Sequence, residues 1–108
     1  MRAAALVLLM LTASCATVEQ AVDNTARQGA KGVVTETLAT RFPQVPKELI
    51  TPFTDCIIDN ASSGEIGTFA KAAVVGVDDE TVATVRTVLS RPETVGCLQS
   101  KAVATGLI

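Results

Sequence analysis

The most regular pattern in the chain is an apolar side chain at every fourth position over its first part. Such spacing places these side chains on one face of an α-helix. Thr17 followed by Gln20 has the pattern of a capping box, so we predict a helix over about residues 18–41. Gly29 and Gly32 weaken its first half, because Gly inside a helix costs roughly 1 kcal/mol relative to Ala. The apolar stripe consists of Val18, Val22, Ala26, Ala30, Val34, Leu38 and Phe42.

Proline residues end this helix and begin the next one. Pro43 and Pro46 end the first helix, since proline disfavours helical backbone at its own position and at the residue before it. Further along, Thr51 is a good N-cap residue and Pro52 suits the first helical position, so we predict that a second helix begins there. The inward face of this helix is expected to carry Phe53, Cys56, Ile57 and Asn60.

Three more helix starts follow at short intervals. Ser62 and Glu65 have the pattern of another capping box, and Gly76 is placed to end the helix that they open. Asp78 is an N-cap residue for the next helix, and Pro92 restarts the chain into a last one. The faces expected to lie inward carry Ile66, Phe69, Ala70 and Ala73, then Val82, Val85 and Leu89, and finally Val95, Cys97, Leu98 and Ala102.

These elements predict an all-α fold, a small bundle of four to five short helices that follows an N-terminal signal helix. No segment alternates apolar and polar residues for long, and no Asn-Gly or Asp-Gly pair marks a hairpin turn. With 108 residues, three Phe and no Trp or Tyr, the chain has material for one modest core of mainly small side chains. We divide it into a signal peptide at 1–14, a lipidated tether or loose helix at 15–32, and a helical domain at 33–108.

The N-terminus has the three parts of a bacterial export signal. Arg2 supplies the positive start, an apolar run follows over residues 3–11, and small residues come next. The run is short for a membrane span, which needs about 20 residues. The sequence LTASC at 11–15 resembles the lipobox of bacterial lipoprotein precursors, which implies cleavage before Cys15 and acylation of that cysteine. The alternative is ordinary cleavage after Ala16, which gives an exported protein without a lipid.

Lipidation of Cys15 determines the expected location of the protein. Each acyl methylene buried in a bilayer contributes roughly 0.8 kcal/mol, and two or more chains make anchoring stable. In the precursors that this signal resembles, a residue other than Asp after the cysteine favours the outer membrane, and here that residue is Ala16. We therefore expect fatty acyl chains such as palmitate to anchor the protein to the periplasmic face of the outer membrane.

The cysteine count supports export independently. The chain has three cysteines, and lipidation of Cys15 leaves Cys56 and Cys97 as a pair. In an oxidising compartment, two cysteines in a small domain favour a disulfide, which would close a long loop and stabilise the fold by roughly 4 kcal/mol. The alternative is two buried free thiols. A redox-active pair is disfavoured because the chain has no Cys-x-x-Cys motif.

Composition excludes several classes of function. The formal net charge is −2, with both signs interspersed, whereas a nucleic-acid surface needs a basic patch. The chain has no His, which removes Ser-His-Asp and Cys-His catalysis as well as His-based zinc and haem sites. The two commonest glycine-rich phosphate-binding motifs are also missing. We therefore expect no enzyme activity, no cofactor and no nucleic-acid partner.

One group of polar residues is a candidate for a weak polar-ligand site. Asp55 and Asp59 are four residues apart and would share a helix face beside Cys56, with Asn60 next to them. A solvated face or a cap for a neighbouring helix explains the same residues and is the favoured interpretation. The acidic run at 78–80 does not have the spacing of an EF-hand loop and fits a helix N-terminus, so we expect no metal site.

Three further segments extend the resemblance beyond the lipobox. RFPQVP, TDCIIDNAS and RPETVGC are similar to segments of short exported lipoproteins of alphaproteobacteria. The similarity covers most of the chain after the signal peptide, and its motifs are helix starts and one cysteine on each of two helices. Chains of that group are sometimes labelled succinate dehydrogenase. This sequence lacks the flavin-binding glycine motif, the cysteine run for iron–sulfur clusters and the His ligands that the label requires.

The expected function is that of a lipid-anchored cell-envelope protein whose small helical domain acts in structure or in binding a protein partner. Two alternatives stay open. One is a periplasmic small-ligand binder or sensor, whose site would lie around Asp55, Asp59 and Asn60. The other is a non-catalytic accessory factor to a respiratory enzyme. A membrane-active peptide is disfavoured, because the charges between residues 16 and 42 balance.

Overall fold

The computed structural model describes residues 24–104 and residue 106. In this part of the chain the regular elements are helical and none is a strand, so the predicted all-α fold is confirmed. The elements are α1 (24–41), a 3₁₀ turn (Lys47–Leu49), α2 (Ile50–Asn60), α3 (Ser63–Val75), α4 (Asp79–Leu89) and α5 (Pro92–Ala104).

Several predictions concern residues outside the described part of the chain. They include the signal peptide at 1–14, the lipidation site at Cys15 and the capping box of Thr17 and Gln20. Within the described residues, no helix combines the length and the apolar character that crossing a membrane requires.

The described part of α1 continues unbroken through its two glycines. A Cβ atom built on either Gly29 or Gly32 would meet nothing within 4 Å, so neither glycine is needed for a close contact. Ala30 lies between them and is fully buried. Residues 24–32, which we predicted to be a tether or a loose helix, are therefore helical and contribute to the core.

Helices α1 and α2 pack side by side in opposite directions. The Thr35 and Thr54 hydroxyls hydrogen bond at 3.1 Å, and nearer the start of α1, Arg27 Nη1 donates to the Ile58 carbonyl at 3.5 Å. Moving back along α1 therefore means moving forward along α2. The C-terminal end of α2 consequently lies at the same end of the bundle as the first described turns of α1.

Local capping interactions set the starts of α3 and α4, as predicted. Ser62 Oγ accepts from the Glu65 amide at 3.2 Å, while Glu65 Oε1 accepts from the Ser62 amide at 2.8 Å. Asp78 Oδ1 accepts from the Thr81 amide at 3.0 Å, and the Thr81 hydroxyl completes a second reciprocal cap. Gly76 ends α3 with a φ of 97°, a backbone conformation that side chains other than hydrogen strongly disfavour.

The predicted start of α2 was wrong by two residues. We expected Thr51 to be the N-cap and Pro52 the first helical residue, whereas α2 begins at Ile50 with Leu49 as its N-cap and without a side-chain cap. The reason is the 3₁₀ turn Lys47–Leu49, which runs directly into the helix. Pro52 still lies in the first turn, where its missing N–H loses no helical hydrogen bond.

The hydrophobic core is built from α1 to α4. Phe69, Leu38, Ile57 and Val85 are fully buried and lie within one continuous cluster. Its other fully enclosed or nearly enclosed members are Ala30, Val33, Val34, Phe42, Ile58, Ile66, Ala72 and Val88. Phe53, Val82 and Leu89, predicted to lie inward, are half-buried and pack against this cluster.

Two residues predicted to lie inward are exposed. In α3, Ala73 faces solvent and its neighbour Ala72 is buried instead. In α5, Val95 is 40% exposed, while Thr94 and Ala102 are the buried residues. Both helices have apolar residues spread around the axis, so packing against neighbouring helices, which the local pattern does not encode, determines which side is buried.

Candidate functional site

The central feature of the candidate site is a disulfide between Cys56 and Cys97, which confirms the predicted pairing. It joins the middle of α2 to α5 with a Cα–Cα distance of 5.7 Å and a sequence separation of 41 residues. Cys56 is fully buried, whereas Cys97 is only half-buried. Solvent therefore reaches the bridge from the α5 side.

The candidate polar-ligand residues lie on and after the turn of α2 that carries Cys56. Asp55 faces α1, where its carboxylate lies 3.7 Å from Lys31 Nζ in a pair whose two side chains are each about 40% exposed. Asp59 is exposed. Asn60 Nδ2 donates to the Cys56 carbonyl at 2.8 Å, within its own helix. Asp55 and Asn60 thus have protein contacts of their own, in different directions.

No group of three or more His, Cys, Asp or Glu side chains in residues 24–104 has the arrangement of a metal-binding cluster. An exposed ion pair such as Lys31–Asp55 contributes at most about 1 kcal/mol, because water screens both charges. The structure therefore places Asp55 in a surface contact between α1 and α2.

A second polar cluster, beside the disulfide along α2 and α5, was not predicted from the sequence. Arg91 lies in the short connection between α4 and α5. Its Nη1 donates to the Asn60 carbonyl at 2.9 Å and to Glu65 Oε1 at 2.6 Å, and its Nη2 donates to Glu65 Oε2 at 2.7 Å. We call Arg91, Glu65 and the Asn60 carbonyl the Arg91 latch. It joins the end of α2, the start of α3 and the start of α5.

The Arg91 latch shifts the titration of both charged groups. The two hydrogen bonds from Arg91 are the main reason that the pKa of Glu65 is lowered, and they outweigh the opposing effect of burial. The same contacts raise the pKa of Arg91. Glu65 also accepts from the Ser62 amide, so a single carboxylate both caps α3 and binds Arg91.

Neither partner of the latch was predicted in this role. Glu65 was assigned to a capping box, and Arg91 only preceded the proline that starts α5. The two residues are 26 positions apart, and no local pattern relates residues at such a separation. The only signal in the sequence was that both residues lie at helix boundaries, and the ends of different helices can meet in a bundle.

The acidic run at the start of α4 acts as a helix cap. Asp78 accepts from the amide and the hydroxyl of Thr81, and these hydrogen bonds are the main cause of its lowered pKa. Its position agrees with the predicted helix N-terminus. In the last turn of α4, the Arg86 guanidinium lies over the Phe42 ring, 5.7 Å from its centre, and links this helix to the residue that follows α1.

Comparison with known proteins does not identify a family for the chain. No protein-family model, curated protein or solved structure matches the chain.

Proposed function

We propose that the protein is lipid-anchored in a bacterial cell envelope and that its small helical domain serves a structural or protein-binding role without catalysis. The observation that carries the proposal is the Cys56–Cys97 disulfide. Structural disulfides persist in oxidising compartments such as the periplasm and are rare in the reducing cytosol. An exported location accounts for the bridge.

The cysteine count supports the lipid anchor. Of the three cysteines in the chain, two are in the bridge, and the third is Cys15 at the end of LTASC. A cysteine at that point of an export signal is the residue that a lipoprotein precursor acylates. Ordinary cleavage after Ala16 removes Cys15 with the signal and gives this cysteine no role.

The arrangement of polar groups supports a structural or binding role. Beside the disulfide, Glu65 and Arg91 are engaged with each other, and Asn60 contributes both its side-chain amide and its carbonyl to helix contacts. Through these contacts Arg91 links the end of α2 and the start of α3 to the start of α5. On this proposal the protein is held at the periplasmic face of the outer membrane, and its exposed helix faces are available to a protein partner.

The anchor is tested by labelling cells that express the protein with a palmitate analogue. The wild-type protein should incorporate the label and sediment with membranes, and Cys15→Ala should do neither. The matched control is Cys97→Ala, which removes a different cysteine and should retain both label and membrane association. Label on Cys15→Ala, or none on the wild type, would contradict the proposal.

A further inference from the structure

Val74 and Val75 are the most exposed large apolar side chains in the described residues, at 86% and 66%. They are consecutive and end α3, and Ala73 before them is exposed as well. Gly76 follows and ends the helix. We call residues 73–80 the α3–α4 corner. Single apolar residues scattered over a surface are ordinary, whereas adjacent and strongly exposed ones mark a candidate contact surface.

The two valines lie at the end of α3 that is far from the Arg91 latch. Glu65 is at the start of this helix and Val75 is its last residue, so about 15 Å of helix separates them. The side chains of α3 in the hydrophobic cluster all precede the valines; they are Ile66, Phe69 and Ala72. Neither the latch nor the core therefore accounts for the exposed valines.

The α3–α4 corner carries an excess of negative charge. Asp78, Asp79 and Glu80 follow the valines closely and all three are exposed, while Lys71 is the only basic residue from 70 to 80. The Asp78 carboxylate caps α4. Among the described residues, the carboxylates of Asp79 and Glu80 have neither an ion pair nor a hydrogen bond. They are therefore available to a cation from another molecule.

The C-terminal end of α3 adds a partial negative charge at the same place. The last carbonyls of a helix have no partner within it, and the helix dipole is negative at that end. The Gly76 amide donates to the Ala72 carbonyl at 2.8 Å. Among the described residues, no amide beyond α3 donates to the carbonyls of the three residues that follow Ala72. Since α3 has no basic residue in its last turn, a Lys or Arg from outside supplies the donor that this helix end lacks.

The charge of the α3–α4 corner distinguishes between candidate occupants. A bilayer surface with anionic lipids attracts Lys and Arg, so carboxylates beside the valines oppose binding to it. A second copy bound through the same face about a two-fold axis would bring two sets of these carboxylates together. A protein segment that carries Lys or Arg beside apolar side chains complements both the valines and the carboxylates.

We propose that the α3–α4 corner binds a cationic segment of a partner protein. Val74 and Val75 contact apolar side chains of this segment, while its Lys or Arg side chains bind the carboxylates of Asp79 and Glu80 and the last carbonyls of α3. The inference rests on the protein-binding role proposed above, to which it adds the location of the site and the chemistry of the partner. It does not depend on the lipid anchor.

Photo-crosslinking in intact cells tests the site. The full chain carries the photoreactive residue p-benzoylphenylalanine in place of Val74, and the matched control carries it in place of Val103, which is 62% exposed on α5. Irradiation should join the Val74 position to another protein. Peptide mass spectrometry should locate the attachment in a segment that contains basic and apolar residues. The Val103 position should give at least about fivefold less of this product.

Charge variants test how the segment is recognised. In the chain with the photoreactive residue at position 74, Asp79→Asn/Glu80→Gln should lower the yield of the product at least about fivefold, because the partner's basic residues lose their carboxylates. The matched control, Glu36→Gln/Asp59→Asn, removes two exposed carboxylates elsewhere and should leave the yield unchanged. Equal yields from the two double variants, or attachment to a segment without Lys or Arg, would overturn the proposal.

Other crosslinked products would overturn the proposal in distinguishable ways. A covalent dimer of the chain would assign the α3–α4 corner to a second copy, and attachment to lipid would assign it to the bilayer. A partner protein joined only through the Val103 position would place the binding surface on α5 and leave the protein-binding role in place. The absence of any protein product from both positions would count against the corner and against that role.

Discussion

Helices α4 and α5 follow one another along the chain and have similar lengths, but they are held in the domain by different forces. α4 places Val85 and Val88, both fully buried, in the hydrophobic cluster. α5 places no residue there; it packs against α2, to which the disulfide at Cys97 also joins it, and it buries Thr94 and Ala102. One helix is held by burial in the hydrophobic cluster, and the other is also held by a covalent bond.

This difference shows how a small domain with few large side chains is stabilised. With only three Phe and no Trp or Tyr, the chain has limited apolar area to bury. Four helices supply the hydrophobic cluster, and a disulfide joins the fifth helix to α2. Disulfides commonly serve this purpose in small secreted domains whose cores are modest.

The largest expected effect on stability comes from a substitution in the hydrophobic cluster. Phe69 is fully buried in the cluster, so Phe69→Ala should lower the free energy of unfolding by about 3 to 5 kcal/mol through lost burial and a cavity. The measurement is urea denaturation followed by far-UV circular dichroism, since the chain has no Trp. The matched control in the same helix is Val74→Ala, at a side chain that is 86% exposed, and it should change stability by less than about 0.5 kcal/mol. Equal effects of the two substitutions would show that Phe69 does not form the core.

The next largest effect on stability is expected from removing the Cys56–Cys97 disulfide. For a loop closed over 41 residues, loop-closure entropy predicts that Cys56→Ala/Cys97→Ala lowers the free energy of unfolding by up to about 4 kcal/mol. Ser100→Ala, at an exposed position of α5, serves as the control and should be nearly neutral. Thermal unfolding of the two variants without reductant measures the difference. A double cysteine variant as stable as the wild type would mean that α5 is held by non-covalent contacts alone.

The features of the fold that the sequence predicted are those with local causes. Capping boxes act within three residues, so Ser62 with Glu65 and the N-cap at Asp78 were recognisable from spacing alone. The stripe along α1 was also predictable, because one face of that helix is apolar over several turns. The cysteine pairing followed from the count of three once Cys15 was assigned to the lipid.

The features that the sequence did not predict depend on contacts between distant segments. Val95 was expected to lie inward because it is apolar, but α5 meets α2 through Cys97 on another side, which leaves Val95 exposed. The Arg91–Glu65 pair joins residues far apart in the chain. In the candidate polar-ligand site, the pairing of Asp55 with Lys31 required the antiparallel packing of α1 on α2.

A pair of identical substitutions compares the two helices directly. Val85 in α4 is fully buried, so Val85→Ala should cost about 2 kcal/mol from lost burial and an unfilled cavity. Val95 in α5 is 40% exposed, and Val95→Ala should change the free energy of unfolding by less than about 0.5 kcal/mol. Both values follow from urea denaturation. If Val95→Ala is the more harmful change, α5 is attached by apolar packing that this account does not include.

The smallest expected effect concerns the Arg91 latch and its dependence on pH. Because Arg91 lowers the pKa of Glu65 in the folded state, the stabilisation is present above the usual value of 4.5 and is lost as pH falls through the folded-state pKa. Glu65→Gln should therefore reduce stability at neutral pH by less than about 1 kcal/mol, given partial screening by solvent, and the difference from the wild type should shrink in acid.

The control for this measurement is Asp78→Asn, because the pKa of Asp78 is also lowered and contributes in the same acidic range. That variant should retain the contribution of Glu65 to the pH dependence. Stability curves of the wild type and Glu65→Gln that stay parallel from neutral pH to below pH 4 would show that the latch does not stabilise the fold through the ionised carboxylate.

The most direct test of the account is the intact mass of the protein isolated from bacterial membranes without reductant. We predict a chain that begins at Cys15, carries the mass of its acyl groups, and gains two hydrogens when the Cys56–Cys97 bridge is reduced. A chain that begins at Thr17 without a lipid would contradict the anchor. A mass that does not change on reduction would contradict the disulfide.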